Sequence, residues 1–369
     1  MGECILVGCD RHDKKMVLKM AVGREESRRR DYESGPAGRA AMVRDLRAWA
    51  AELGGARILL AYEASGQGFG LYDELKAAGI ECCVLAPTKI PRSPQQRKRK
   101  TDETDAEVLL NLLRGHVLAG NPLPVVEVPS RQVRDDREVL RARTDTTEKV
   151  GQVKTQIGCL LKRNEVRRPA GLGVGWTRAY REWLKALAEC DEPMGAGARV
   201  ALGTLLRQLG MLEEEMKGLD ADVARLAKVA RYEPVVTALR RHKGVAALVA
   251  LIFVTEIGRP TRFRNRRKIG AHLGLAPSSY ESGENGDNKG HITRQGSFRV
   301  RRALCQAVWA RVRTDPEERA AYDRIVRKNP KHKKIAVVAS MRRLAVRMWH
   351  TMVEVWESQG EGSPVLQVG

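Results

Sequence analysis

Lys100-Thr101-Asp102-Glu103-Thr104-Asp105-Ala106 follows a basic run and opens a helical pattern, with Ala106, Leu109, Leu110 and Leu113 recurring at helix spacing. Asp102 and Asp105 stand three apart, so on a helix they share one face. The same pair also reads as an N-cap, Asp102, with Asp105 as its capping-box acid. The chemical reading gains weight from two acids upstream. Asp10 and Glu63 each end an apolar run.

Ile5-Leu6-Val7-Gly8-Cys9-Asp10 reads as a buried strand, and 15–22 as a second strand joined to it through the loop 11–14. A helix is expected over 39–53. Another strand at 57–62 ends at Glu63 and runs into Ala64-Ser65-Gly66. A helix over 71–78 and a strand over 81–86, stopped by Pro87, complete the pattern. The alternation implies an α/β unit with a parallel core carrying an antiparallel hairpin. Functional residues of such sheets gather beyond the carboxyl ends of the strands. Asp10 and Glu63 fall there, and the helix beginning near Asp102 brings Asp102 and Asp105 to the same rim. One acid in such a place only caps or solvates a turn. Four would repel one another without a cation, and magnesium or manganese with oxygen ligands answers that repulsion. Two such ions can clamp the attacking and leaving oxygens of a phosphodiester.

The composition names a partner class. Lysine and arginine number 66 against 45 acids, a net charge of +21 with a pI near 10.0, over 369 residues. Such a charge suits a polyanion. No apolar run approaches the ~20 residues of a membrane span, and the first residues lack a basic-then-apolar signal pattern. Nucleic acid is therefore favoured over a membrane surface. The seven cysteines form no Cys-x-x-Cys pair, which argues against structural zinc and for a reducing cytoplasm. Aromatics are only 5%, too few for a single-strand stacking platform.

Residues 91–100 hold five basic side chains and no acid, with Arg97, Lys98, Arg99 and Lys100 as candidate phosphate contacts. The chain then turns to charged helix. Leu205, Leu209, Leu212, Met216, Leu219, Val223 and Leu226 alternate spacings of four and three, the heptad pattern. An earlier helix over 133–161 offers Val150, Val153, Ile157 and Leu160 to pack against it. A helical, coiled-coil arm is expected over 131–232, between a first domain at 1–130 and a mainly α domain at 233–358, with a tail at 359–369. In the last domain a basic stretch holds Arg264, Arg266, Arg267 and Lys268. Gly274-Leu275-Ala276-Pro277-Ser278-Ser279-Tyr280-Glu281-Ser282-Gly283 then leads into an expected Gly/Asn-rich loop at 283–290. Arg294, Arg299 and Arg301 follow. Ser282 before Gly283 is a candidate nucleophile, although Ser-Gly in a loop is more often a turn.

Taken in order, these motifs resemble the DEDD transposases of bacterial insertion sequences, the insertion-sequence one-ten group with its Piv-type invertase relatives. Val7-Gly8-Cys9-Asp10-Arg11-His12 is similar to the first acidic motif and Tyr62-Glu63-Ala64-Ser65-Gly66 to the second. Lys100 to Ala106 is similar to the third. Gly274 to Pro277, Ser282-Gly283, Gly290-His291-Ile292-Thr293 and Arg301-Arg302-Ala303-Leu304 resemble the C-terminal transposase motifs. The resemblance implies a RuvC-like domain with an RNase H-like fold, whose Asp10, Glu63, Asp102 and Asp105 hold Mg2+ or Mn2+. It makes Ser282 the nucleophile, with Ser278 and Ser279 as neighbouring alternatives. It further implies donor and target DNA, a structured guide (bridge) RNA, a homo-oligomer (dimer or tetramer), and a bacterial cytoplasmic, nucleoid-associated setting. A junction-resolving nuclease using water, with Ser282 a bystander, is the rival reading. His242-Lys243-Gly244-Val245-Ala246 departs from the family's Pro-Gly-(Ile/Val)-Gly hairpin, and residues 163–200 match no motif.

Overall fold

The computed structural model describes residues 3–91, 101–282, 285–328 and 330–359; the side chains of 279–282 and 285–289 lie outside that description. The chain divides into two compact units, Met1–Val128 and Pro129–Gly369.

The first unit is a five-stranded mixed sheet with helices on both faces. Strands β1 (Cys4–Arg11), β2 (Lys15–Val22) and β3 (Arg28–Glu33) are antiparallel. β4 (Arg57–Glu63) and β5 (Glu81–Leu85) run parallel to β1, giving the order β3-β2-β1-β4-β5. Strand alternation sorts the side chains. Ile5, Val7 and Cys9 join Leu60 and Tyr62 in a core that includes Met42 and Leu46 of helix α1 (Pro36–Glu52) and Leu71 and Leu75 of α2 (Gly70–Ala77). Leu6, Leu59 and Ala61 face the other way, onto α3 (Asp102–Ala119) through Leu109, Leu110 and Leu113. Those three leucines are wholly buried, and each contributes roughly 1.5–3 kcal/mol to holding α3 on the sheet. Gly8 makes the close approach possible. A Cβ there would lie 2.1 Å from the Ala106 carbonyl oxygen and 2.5 Å from the Leu110 nitrogen.

The sequence pattern located β1, β2, β4 and β5 but passed over β3. Arg28-Arg29-Arg30-Asp31-Tyr32-Glu33 carries no apolar alternation, because β3 is an edge strand and most of it is exposed. Backbone pairing to β2 makes it a strand.

In the second unit, α4 (Arg131–Arg163) and α6 (Ala196–Leu226) pack side by side. Arg143 reaches Asp220 at 2.6 Å and Lys154 reaches Glu213 at 3.3 Å, so the two helices run antiparallel. Val150, Val153, Ile157 and Leu160 meet Leu202 and Leu209 in a separate small core, closed by Tyr180, Leu184 and Leu187 of α5 (Arg178–Glu189). The opposite end of the pair enters a larger core built by α7 (Glu233–Leu239), α8 (Ala247–Ile257), α9 (Arg266–His272), α10 (Phe298–Thr314), α11 (Pro316–Lys328) and α12 (Lys333–Ser358). Gly244, between α7 and α8, has φ +78°, and a Cβ there would stand 2.5 Å from the Ala307 carbonyl oxygen. The departure at His242–Ala246 therefore leaves intact the one glycine the turn requires.

The expected loop at 283–290 is largely strand. β6 (Pro277–Ser282) pairs antiparallel with β7 (Asn285–Ile292), Pro277 opposite Ile292 and Ser282 opposite Asn285. Gly, Asn and Asp are poor strand residues, and here cross-strand pairing overrides that preference. Gly283 and Glu284 lie outside the described residues. Among the described residues no helix is long and apolar enough to cross a membrane.

Candidate metal centre

Helix α3 begins one residue earlier than the carboxylate-cap reading supposes. Thr101 is the N-cap, its Oγ1 accepting from the Thr104 N–H at 3.2 Å. Asp102 and Asp105 therefore stand in the first turn, where acids also suit the positive end of the helix. The four acids of α3's N-terminal half divide by face. Glu103 and Glu107 are anchors: Lys19 reaches Glu103 at 2.7 Å, Arg29 reaches Glu103 at 2.9 Å, and Ser27 donates to Glu107 at 2.9 Å. Asp102 and Asp105 belong to the rim.

Asp10 arrives at that rim by register. It follows Gly8 by two residues, so it shares the α3 side of β1 with Leu6 and Gly8. Glu63 likewise shares a side of β4 with Leu59 and Ala61. The last paired rung between β1 and β4 is Cys9 with Tyr62, so Asp10 and Glu63 occupy the next step on adjacent strands. Asp105 is buried at 7% exposure and acts electrostatically on Asp10. Burial raises the Asp10 pKa, His12 opposes that rise, and the neighbouring charges of Asp105 and Asp102 add to it. Asp102 is instead held low by the hydrogen bond from Lys15, whose Nζ lies 2.7 Å from Oδ2.

Asp10, His12 and Asp102 offer donor atoms that all lie within 4.8 Å of one another. Two carboxylates and an imidazole, with a third carboxylate buried beside them, suit a divalent cation, whose charge would offset the burial and the Asp105 and Asp102 charges that raise the Asp10 pKa. His12 and Lys15 escaped the sequence reading as site residues. For His12 the signal was present: it stands two residues past Asp10, at strand period.

The remaining candidates are placed unevenly. Ser282 ends β6 with its side chain outside the described residues, as is that of Ser279. Ser278 Oγ donates to the His291 carbonyl at 3.0 Å, across the hairpin. Arg97, Lys98, Arg99 and Lys100 lie outside the described residues. Arg264, Arg266, Arg267 and Lys268 are exposed around the start of α9, which Asn265 caps, and Arg294 is exposed at φ +54°. Two arginines have structural engagements that the sequence did not announce. Arg299 pairs with Asp145 at 3.1 Å, and Arg301 donates to the carbonyls of Leu273, Gln295 and Gly296 at 3.2, 3.4 and 3.0 Å.

Comparison with known proteins agrees with the motif order. Residues 7–164 match the IS110-type DEDD transposase model, described as "Transposase", and residues 236–323 match the "Transposase IS116/IS110/IS902 family". The putative transposase y4qE of Sinorhizobium fredii is 32% identical over 252 residues, 68% of this chain and 58% of that protein. The putative transposase y4rJ of the same organism is 28% identical over 268 residues, 69% and 65% of the two chains. The transposase for insertion sequence element IS1533 of Leptospira borgpetersenii is 29% identical over 209 residues, 56% and 57%. The matched stretches thus span less than two thirds of each relative.

Proposed function

Because this chain belongs to the DEDD transposase family of the IS110 group, we propose that it is a DNA transposase that cuts and rejoins strands through a serine–phosphate intermediate. The first unit is then the RuvC-like, RNase H-like catalytic domain, and its mixed sheet with α3 on the acid-bearing face supports that reading. The observation that carries it is the gathering of Asp10 and Asp102 within one ligand set, with Glu63 and Asp105 at the same rim.

In this reading Asp10, Glu63, Asp102 and Asp105 hold Mg2+ or Mn2+. An ion bound there would supply positive charge to the scissile phosphate and to the departing oxygen. Ser282 Oγ forms the new bond to phosphorus as the bond to one strand oxygen breaks. The serine proton leaves Oγ, and the departing oxygen takes up a proton to become a free strand hydroxyl. That hydroxyl, or another, later attacks the phosphoserine, rejoining DNA and releasing Ser282. The basic side chains hold nucleic-acid backbones, and base pairing to a structured guide RNA selects the sites, a division of labour supported by the +21 charge. The antiparallel helix pair α4–α6 is suited to joining copies of the chain in a homo-oligomer.

Trapping tests the reading. The full chain, purified with its bound RNA and given labelled donor and target DNA with Mg2+, should yield a covalent protein–DNA adduct stable to denaturant. Ser282→Ala should remove the adduct and strand exchange together. Cleavage that persists in Ser282→Ala would reject the serine step.

A further inference from the structure

We infer that His12 is itself a ligand of the bound ion, giving the centre a nitrogen donor that favours a transition ion such as Mn2+ over Mg2+. The inference rests on the metal-centre reading above and refines it. His12 lies at the β1–β2 turn, on the same side of the sheet as Asp10. Its main chain is fixed on both sides: its N–H donates to the Lys15 carbonyl at 2.9 Å, and its carbonyl accepts from Ser34 Oγ at 2.5 Å. This pinning delivers the ring to the acids. Nε2 stands 3.0 Å from Asp10 Oδ2 and 3.3 Å from Asp102 Oδ1.

Those separations carry the argument. Neighbouring ligands of an octahedral ion with bonds of 2.0–2.1 Å lie about 3 Å apart, so the imidazole already stands at that spacing from each of the two carboxylates. Asp102 turns its other oxygen, Oδ2, toward Lys15, leaving Oδ1 on the side of the imidazole and Asp10. Carboxylates alone suit magnesium, whereas an imidazole brings the preferences of transition ions. The same 3.0 Å also fits a hydrogen bond from the ring to Asp10, which would make His12 a positioning residue only. The test must therefore detect the nitrogen.

Mn2+ titrated into the full-length protein, with any affinity tag removed, is followed by electron paramagnetic resonance for binding and by spin-echo modulation for directly bound 14N. The wild type should bind Mn2+ with a nitrogen coupling. His12→Gln should lose the coupling and bind Mn2+ on the order of tenfold more weakly. His12→Asp, which returns an oxygen donor, should recover much of the Mn2+ affinity without the nitrogen signal, and its preference for Mn2+ over Mg2+ should shrink. Mn2+ bound by the wild type without nitrogen coupling, or with a coupling that survives His12→Gln, would overturn the role of His12 and leave the carboxylate centre standing. A wild type that binds no Mn2+ sensitive to Asp102→Ala would instead overturn the centre, and the role of His12 with it.

Discussion

The acid rim of the first unit and the serine hairpin of the second are built by opposite means. At the rim, strand register and a tightly packed helix fix each carboxylate. Gly8 admits α3, three wholly buried leucines hold it, and Glu103 and Glu107 clamp its outer face to β2 and the turn beyond it. The hairpin Pro277–Ser282 with Asn285–Ile292 has one aromatic and one aliphatic residue besides its proline. Its strands are paired through the backbone, with Thr293 N–H donating to the Ala276 carbonyl at 2.9 Å at the base. Two-stranded ribbons of this kind are marginal alone. Charge assembled around an ion has to be organised before that ion arrives, because uncompensated acids repel. In the proposed mechanism, a serine that must meet a large substrate gains from a light mount.

Variants that separate metal binding from strand attachment should show the largest effects. Asp102→Ala should lower metal-dependent cleavage by roughly 10²–10³-fold, the scale of losing one preorganised charge contact at a transition state, and should weaken Mn2+ binding. Ser282→Ala should abolish the covalent adduct while leaving Mn2+ binding unchanged. If Ser282→Ala also cost metal affinity, the two regions would not be independent modules.

Gly8→Ala probes the rim through its packing alone. A methyl group 2.1 Å from the Ala106 carbonyl oxygen forces α3 away from β1, with a cost of roughly 1–3 kcal/mol typical of overpacking. The first unit should melt earlier and bind Mn2+ more weakly, although no acid has changed. A variant as stable and as metal-competent as the wild type would show that close packing does not position the acids.

These two regions were also legible to different degrees. Asp10 and Glu63 stood out because buried strands write themselves as apolar runs with visible ends, and α3 because its leucines keep helix period. β3 was hidden because an exposed edge strand needs no apolar alternation. β7 was hidden because Asn, Gly and Asp signal turns locally, and only the pairing partner ten or so residues upstream makes them a strand. Lys15 was hidden for a third reason. Its reach to Asp102 crosses from the start of β2 to the start of α3, a distance in sequence that no local pattern records.

Lys15 acts on the rim at a smaller scale. Its ammonium group meets Asp102 Oδ2 at 2.7 Å while half exposed, so its positive charge opposes a divalent ion held through Oδ1 of the same carboxylate. Lys15→Met should raise Mg2+ and Mn2+ affinity alike by about two- to fivefold, the range of a solvent-exposed ion pair. Isothermal titration at two salt concentrations reads it, the gain shrinking at high salt. A loss of affinity would mean that Lys15 supports the centre instead of screening it.

The finest test sets two arginines of the second unit against each other. Arg301 donates to three carbonyls that join the stretch before β6 to the stretch after β7, and burial lowers its pKa. Arg301→Ala leaves the part-buried Leu273 carbonyl short of a donor while the exposed carbonyls of Gln295 and Gly296 turn to water, a cost of about 0.5–1.5 kcal/mol that should appear as a lower melting temperature of the second unit. Arg266 is exposed at the start of α9, and among the described residues no ion pair holds it there. Arg266→Ala should leave melting unchanged and reduce the salt slope of DNA binding by about one phosphate contact. Equal thermal losses in both variants would count against reading α9 as a phosphate-binding edge, because a side chain free to meet DNA should not also support the fold.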